Sequence, residues 1–172
     1  SGSGRSSLYG GTGRDTVVAG AAGDNLFVFD GDDAAGERYD GGAGIDILMT
    51  TGSNGAYTID LRDDTLQNLE WLLIRDGNDP FVSGGTGTVR LNASQVALFA
   101  FGIGGDSLDA VDATGSSVLD ITMGALTTFS LATTTFDINM KQAGDKVIIN
   151  GDADHENITG SSARDSILGG LG

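Results

Sequence analysis

The 172-residue chain is acidic and rich in glycine, and it contains no cysteine. Its 24 Asp and Glu residues against 9 Lys and Arg give a formal net charge of −15, which repels nucleic acid and anionic membranes. The absence of cysteine excludes disulfides and thiolate metal sites, and a single histidine, His155, argues against an ordinary zinc site. Oxygen ligands are abundant, and they suit a hard cation such as Ca²⁺. No apolar run reaches the roughly 18 residues of a membrane span.

A nine-residue pattern begins in the N-terminal part of the chain. Residues 10–18 read GGTGRDTVV and residues 41–49 read GGAGIDILM, and both match GGxGxDxUx, in which U is aliphatic. Degenerate copies in the same register lie at 1–9 and 19–27. Two strict matches would arise by chance only roughly a few hundredths of the time, so the pattern is specific. We expect each copy to form a turn followed by a short strand whose aliphatic side chain points into a core.

The middle of the chain, residues 50–142, lacks the strict repeat. Alternating apolar residues predict strands there, at 56–61, 88–91, 118–123 and 135–140. Residues 101–109, FGIGGDSLD, keep Gly104 and Asp106 in repeat register, which predicts a further calcium-binding turn. The segment 92–101, NASQVALFAF, is compatible with a strand or with one short helix that begins at an Asn or Ser cap.

The pattern returns in the C-terminal part of the chain. Residues 151–159 read GDADHENIT, residues 160–168 read GSSARDSIL, and 169–172 open another copy with GGLG. Because the chain starts without Met and stops inside a repeat, we expect it to be a fragment of a longer protein.

The energetics of one such repeat indicate a need for bound ions. Its single buried aliphatic side chain contributes about 1.5–3 kcal/mol. Ordering its backbone costs on the order of 1–2 kcal/mol for each residue. Stacked, unneutralised aspartates add repulsion, so a cation between neighbouring turns would supply the missing stability.

These nonapeptides resemble those of the RTX family, the hemolysin-type calcium-binding repeats of secreted bacterial proteins. The resemblance covers two blocks, 1–49 and 143–172, on either side of the irregular segment 50–142. It implies an all-β fold: one continuous right-handed parallel β-solenoid, or β-roll, with calcium-binding turns at both ends and a less regular β-helical middle. In that family two nonapeptides make one coil, and Ca²⁺ lies between stacked turns.

The resemblance and the degenerate turns together predict several Ca²⁺ ions, held by Asp carboxylates and by carbonyls of the Gly-rich positions. Ser6 replaces the Asp of the first copy, so we expect that turn to bind weakly or not at all. Glu156 stands where Asp is expected, and DGDD at 30–33 interrupts the register but still offers a carboxylate. The predicted ligand residues are Gly11, Gly13, Asp15, Asp24, Asp33, Gly42, Gly44, Asp46, Gly104, Asp106, Asp145, Asp154, Glu156 and Asp165.

We therefore predict a calcium-binding structural module that folds on binding Ca²⁺ outside the cell, within a larger protein exported by type I secretion. The expected location is extracellular or the bacterial cell surface. The expected partners are calcium ions, the rest of the polypeptide, and neighbouring solenoids or a surface ligand, with no nucleic acid and no membrane span.

Two other interpretations remain open. The chain could be a surface-layer or adhesin segment that makes protein or glycan contacts, and an apolar or Thr-lined strip along 110–140 would favour it. It could also be the accessory module of a secreted hydrolase or epimerase. No GxSxG, HExxH or Walker sequence occurs, and turn chemistry accounts for the prominent aspartates, so we predict no enzyme within this chain.

Overall fold

A computed structural model describes residues 4–52, 55–75, 85–105 and 115–171. These residues are β-strands joined by turns and loops, as the all-β prediction requires. The described strands are β1 (Ser7–Tyr9), β2 (Thr16–Val18), β3 (Asn25–Phe29), β4 (Arg38–Asp40), β5 (Ile47–Thr51), β6 (Ala56–Asp60), β7 (Thr65–Gln67), β8 (Trp71–Ile74), β9 (Thr86–Asn92), β10 (Gly102–Gly104), β11 (Ser116–Thr122), β12 (Thr128–Ser130), β13 (Lys146–Asn150), β14 (Asn157–Thr159) and β15 (Asp165–Leu168). The helical segments are α1 (Ala93–Val96) and the 3₁₀ helices Leu61–Asp63 and Ile138–Lys141. In the described ranges, no helix is long and apolar enough to cross a membrane.

The described strands form four sheets, and all their pairings are parallel. Sheet A has the order β1-β3-β5-β8-β10, and sheet B has the order β2-β4-β7. Sheet C has the order β15-β13-β11-β9-β6, and sheet D consists of β12 and β14. Most strands of sheets A and B therefore come from the N-terminal part of the chain, and most strands of sheets C and D come from the C-terminal part.

The interval between paired strands lengthens toward the middle of the chain. Ser7 of β1 pairs with Asn25 of β3, an interval of 18 residues or two nonapeptides. The next two intervals in sheet A are 22 and 24 residues. In sheet C the interval between β11 and β13 is 28 residues, and between β13 and β15 it returns to 18, from Val147 to Asp165. The shortest intervals thus lie at the two ends of the chain, within the blocks 1–49 and 143–172.

The core consists of apolar residues aligned one above another across each sheet. Strands expose alternate residues to opposite faces, so one residue in two points inward. In sheet A the aligned row is Leu8, Leu26, Leu48, Leu72 and Ile103. In sheet C it is Ile59, Val89, Leu119 and Val147, and in sheet B it is Val17, Tyr39 and Leu66. The aliphatic position of the nonapeptide supplies Leu8, Leu26 and Leu48 of the sheet-A apolar row and Val17 of the sheet-B apolar row.

The middle of the chain settles one open alternative and corrects two expectations. The strand expected at 135–140 is not formed, and the 3₁₀ helix Ile138–Lys141 occupies its second half. The segment 92–101 contains the helix α1, and the side chain of Gln95 accepts a hydrogen bond from the backbone N–H of Asn92 at 2.8 Å. The turn expected at Gly104 is instead strand β10, paired with β8. A Cβ on Gly104 would lie 2.6 Å from an oxygen of Asp137, so this glycine gives room to a neighbouring segment. Asp106 lies outside the described residues.

Truncating one member of the sheet-A apolar row tests whether that row stabilises the fold. Leu72 is fully buried, so Leu72→Ala should lower the free energy of unfolding by about 2–5 kcal/mol, measured by chemical denaturation at saturating Ca²⁺. Leu168 is 57% exposed on β15, and Leu168→Ala is the matched control, with an expected loss below about 1 kcal/mol. Equal losses for the two variants would contradict the proposed core.

Candidate functional site: rows of carboxylates before the strands

A carboxylate stands directly before most strands of the described chain. Because the strands are parallel and in register, residues that precede neighbouring strands come together at one edge of a sheet. These residues are Asp15 before β2, Asp24 before β3, Glu37 before β4, Asp46 before β5, Asp64 before β7, Glu70 before β8, Asp145 before β13 and Glu156 before β14. Asp165 is itself the first residue of β15.

Asp24, Asp46 and Glu70 form a row along one edge of sheet A, here called the sheet-A row. Oδ1 of Asp24 accepts a hydrogen bond from the backbone N–H of Ser6 at 2.5 Å. Oδ1 of Asp46 accepts from the N–H of Asp24 at 2.6 Å, and Oε2 of Glu70 accepts from the N–H of Asp46 at 2.8 Å. Each carboxylate therefore satisfies the backbone donor that begins the strand before it in the sheet.

Asp24 and three acids of the C-terminal part of the chain also close the turns that they terminate. Oδ2 of Asp24 accepts from the N–H of Gly20 at 3.0 Å. Equivalent bonds run from the N–H of Gln142 to Asp145 at 2.7 Å, from Asp152 to Glu156 at 2.8 Å and from Ser161 to Asp165 at 2.8 Å. In these four turns the acid therefore has a structural role even before a metal is considered.

The glycines of the turn have two separate roles. Gly42 and Gly44 have φ values of +84° and +141°, and the corresponding Gly11 and Gly13 have +86° and +106°. Side chains other than glycine are disfavoured in this region, as the sequence predicts. The first glycine of the strict repeat at 41–49 instead gives room, because a Cβ there would lie 2.6 Å from the Cβ of the acid that ends the turn.

Asp46 is the least satisfied member of the sheet-A row. Its side chain is 1% exposed, and among the described residues its Oδ2 is a buried oxygen without a hydrogen-bond partner. Burial raises the pKa of the Asp46 carboxyl, and the charges of Glu70, Asp24 and Asp40 raise it further. By contrast, the hydrogen bond from the N–H of Gly20 lowers the pKa of Asp24.

Asp15, Glu37 and Asp64 form the corresponding row along sheet B, here called the sheet-B row. The N–H of Glu37 donates to Oδ1 of Asp64 at 2.8 Å, and the N–H of Arg38 donates to the backbone carbonyl of Asp15 at 3.0 Å. Asp33 approaches this row from the loop before β4. Carboxylate oxygens of Asp33, Glu37 and Asp64, here called the Asp33 cluster, all lie within 4.8 Å of one another.

Two members of the Asp33 cluster are deeply buried. Glu37 is 1% exposed and Asp64 is 8% exposed. Oε2 of Glu37 accepts a hydrogen bond from the hydroxyl of Tyr39 at 2.5 Å. In the described ranges, Oε1 of Glu37 and Oδ2 of Asp64 are buried without a partner. Two free carboxylate oxygens inside a protein are costly unless a proton or a cation occupies the space between them.

Burial raises the pKa of each carboxyl in the Asp33 cluster. The pKa of Asp64 rises to about 6, first through burial and then through the charges of Asp33, Glu37 and Asp63. Burial likewise raises the pKa of Asp33 and of Glu37. The cluster is therefore a place of concentrated negative charge that either a proton or a cation would relieve.

Comparisons with protein-family models, with curated proteins and with solved structures find no match. The function must therefore be inferred from the geometry of these rows.

The structure distributes the predicted ligands among several environments. Asp24 and Asp46 come together in the sheet-A row, Asp15 lies in the sheet-B row, and Asp33 reaches the buried cluster. Asp145, Glu156 and Asp165 each close a turn in the C-terminal part. Asp154 is exposed, and its N–H donates to Asp152 Oδ1 at 2.8 Å.

Sequence reasoning missed Glu37, Asp64 and Glu70. None of them ends a complete GGxGxD turn, the pattern on which the ligand prediction rests. All three nevertheless share a shorter pattern with the predicted acids: an acid, any residue, and then an inward-facing apolar residue, as in ERY, DTL and EWL. That triplet, with the strand that follows it, is the signal that would have found them.

The raised pKa of Asp64 predicts that acidification stabilises the metal-free protein. A folded-state pKa of about 6, above the ordinary value of about 4, means that the folded state binds more protons between these values, so stability falls as pH rises through the window. In EDTA, Asp64 alone should make unfolding about 1–2 kcal/mol more costly at pH 5 than at pH 7.5. The folded fraction of the EDTA-stripped protein, followed by far-UV circular dichroism at the two pH values, measures the difference.

Two variants isolate this contribution. Asp64→Asn should flatten the pH dependence, whereas Asp63→Asn, which removes an exposed neighbouring charge, should leave most of it. A metal-free protein that is equally stable or less stable at pH 5 would contradict the assignment.

Proposed function

We propose that this protein is a calcium-binding structural module that folds on binding Ca²⁺ outside the cell, as part of a larger protein exported by type I secretion. The observation that carries the proposal is the sheet-A row, in which like-charged carboxylates stack along one edge. The buried Oδ2 of Asp46 has no hydrogen-bond partner among the described residues. A hard cation beside this row would both neutralise the stack and fill that free coordination position.

The donor chemistry of the turns fits Ca²⁺. Carboxylates and backbone carbonyls are the ligands that Ca²⁺ prefers, and the chain has no cysteine to favour a softer metal. The residues that would hold the ions are the acids of the rows together with carbonyls of the Gly-rich turns near Gly11, Gly13, Gly42 and Gly44. Bound there, Ca²⁺ would supply charge neutralisation and cross-links between successive turns.

The proposal includes the arrangement of the sheets as one right-handed parallel β-solenoid. Parallel pairing at intervals of 18 residues at each end supports a β-roll, and the longer intervals between them support a β-helical middle within one right-handed solenoid. The RTX resemblance adds export by type I secretion and folding at the higher calcium concentration outside the cell. A net charge of −15 opposes a compact metal-free state, which agrees with that order of events.

Calcium dependence of folding tests the proposal directly. Far-UV circular dichroism of the EDTA-stripped protein should show a cooperative gain of β signal on titration with Ca²⁺ and little change with Mg²⁺. A single site at a free Ca²⁺ concentration of 100 times its Kd adds about 2.7 kcal/mol, so a few sites suffice to drive the transition. A stripped protein that is fully folded and indifferent to Ca²⁺ would overturn the proposal.

Asp46→Asn refines the same titration. An asparagine Oδ1 can still accept from the N–H of Asp24, so the variant removes mainly the charge and the free oxygen. The Ca²⁺ midpoint should rise roughly tenfold or more, because affinity follows the number of charged ligands. Asp63→Asn removes an equal charge from an exposed position outside both rows and should leave the midpoint within about twofold. Equal shifts would mean that only net charge matters.

A second candidate function is that of a surface-layer or adhesin segment, and one feature favours it. An open groove of about 460 Å³ lies between α1 and β12. Its lining is apolar and threonine-rich, and includes Ala93, Ser94, Val96, Ala97, Phe99, Ala100, Leu126, Thr128, Phe129, Ser130, Thr133 and Thr134. Part of the groove lies within the segment 110–140, in which an apolar or Thr-lined strip would favour this function.

Filling the groove tests this candidate. Ala97 is exposed and lines the groove, so Ala97→Trp should abolish binding to purified bacterial surface polysaccharide if the groove is the contact. Ala56→Trp, at an exposed position on β6, is the control. Absence of binding by the unmodified protein would remove the glycan form of this candidate.

A further inference from the structure

We propose that the Asp33 cluster is a cation site of a different kind from the Gly-rich turns, built from three carboxylates and specific for a hard divalent ion, Ca²⁺. Asp33, Glu37 and Asp64 supply one oxygen each, and these oxygens lie within 4.8 Å of one another. This spacing allows a single ion to contact all three at the 2.3–2.6 Å typical of Ca²⁺.

The free oxygens point to a ligand independently of the acidic composition. Glu37 and Asp64 are each more than nine-tenths buried, and each keeps one buried oxygen that is unpartnered in the described ranges. Their other oxygens are already used, by the hydroxyl of Tyr39 and by the N–H of Glu37. The two carboxylates are thus held in place by the protein while one coordination position on each stays open.

Nearby arginines do not neutralise the cluster. Arg14 donates to the carbonyl of Gly36 at 2.7 Å. Arg38 pairs with Asp40 at 2.7 Å, and Arg62 pairs with Asp60 at 2.5 Å. The neighbouring charges that act on Asp64 are carboxylates, which add to the negative potential at the site. No counter-charge for the cluster comes from these arginines, so a cation bound from outside the chain would relieve its negative charge.

The position of the site explains what the ion would do. Asp33 belongs to the loop between β3 and β4, where the nine-residue register breaks and the interval lengthens to 22 residues. Its Oδ2 accepts from the N–H of Asp60 at 2.7 Å, so the loop already lies against the end of β6. An ion on the cluster would fasten this loop, which interrupts the nonapeptide pattern, to β4 and β7.

Terbium luminescence tests the site in the full chain, because Tb³⁺ replaces Ca²⁺ and is excited by a nearby tyrosine. Tyr39 bonds directly to Glu37, so an ion on the cluster should be strongly sensitised by it. Tyr39→Phe should remove most of this emission while Ca²⁺ binding persists, and Tyr9→Phe, at an exposed ring, should not. Emission independent of Tyr39 would overturn the proposal.

Glu37→Gln and Asp64→Asn test the ligands themselves. Each amide can keep its existing hydrogen bond while it loses the open carboxylate oxygen, so Ca²⁺ should compete for the Tyr39-sensitised Tb³⁺ roughly tenfold less well or worse. Asp63→Asn is the matched control, one residue from Asp64 but exposed, and should bind as the unmodified protein does. Unchanged competition in both amide variants would overturn the site.

The terbium experiment tests the Asp33 cluster separately from the proposed calcium-driven folding. Trp71 follows Glu70 of the sheet-A row, and selective excitation of tryptophan reports on ions near that row rather than on the cluster. Loss of only the tyrosine-excited signal in Glu37→Gln supports the cluster site whether or not the whole chain folds on Ca²⁺. A different result would separate the two proposals. If Glu37→Gln and Asp64→Asn left both the Ca²⁺-driven folding transition and the Tyr39-sensitised emission unchanged, the calcium-binding module would stand and the cation site at the Asp33 cluster would be rejected.

Discussion

Parallel, in-register pairing places like residues on top of like residues, and most other features of the structure follow from that constraint. Where the aligned residue is apolar, the stack is favourable: Leu26, Leu48 and Leu72 bury one another completely in sheet A. Where the aligned residue is acidic, the same register forces carboxylates together. The repulsion is therefore a consequence of the arrangement that builds the core, and it cannot be removed without changing the register.

The acids are retained because they perform a structural task that a neutral apolar residue cannot. Each carboxylate of the sheet-A row accepts the backbone N–H at the start of the preceding strand, and Asp24 also accepts from its own turn. Replacing such an acid by an apolar residue would leave a buried donor unsatisfied, at a cost of about 1–3 kcal/mol. Hydrogen bonding thus fixes the acids in position, and the remaining charge couples the fold to the cations around it.

The sequence predicts the ends of the molecule better than its middle. The strict nonapeptides at 10–18 and 41–49 predict the turns, the positive φ at Gly42 and the acids that end those turns. The Asp33 cluster was only partly predictable, because Asp64 reaches Asp33 and Glu37 through the pairing of β4 with β7, two strands that are far apart in sequence. Likewise, Gly104 matches the repeat locally, but pairing with β8 makes it a strand. Local pattern determines a turn; long-range register determines which turns meet.

The arrangement of the sheets has a mechanical consequence. Sheet A takes its strands from residues 7–104 and sheet C takes its strands from residues 56–168. The two sheets therefore share only the middle of the chain, residues 56–104. A pulling force applied at the two ends would pass from one sheet to the other through that overlap. Tensile strength would then be set by the aliphatic interior shared by β6, β8, β9 and β10.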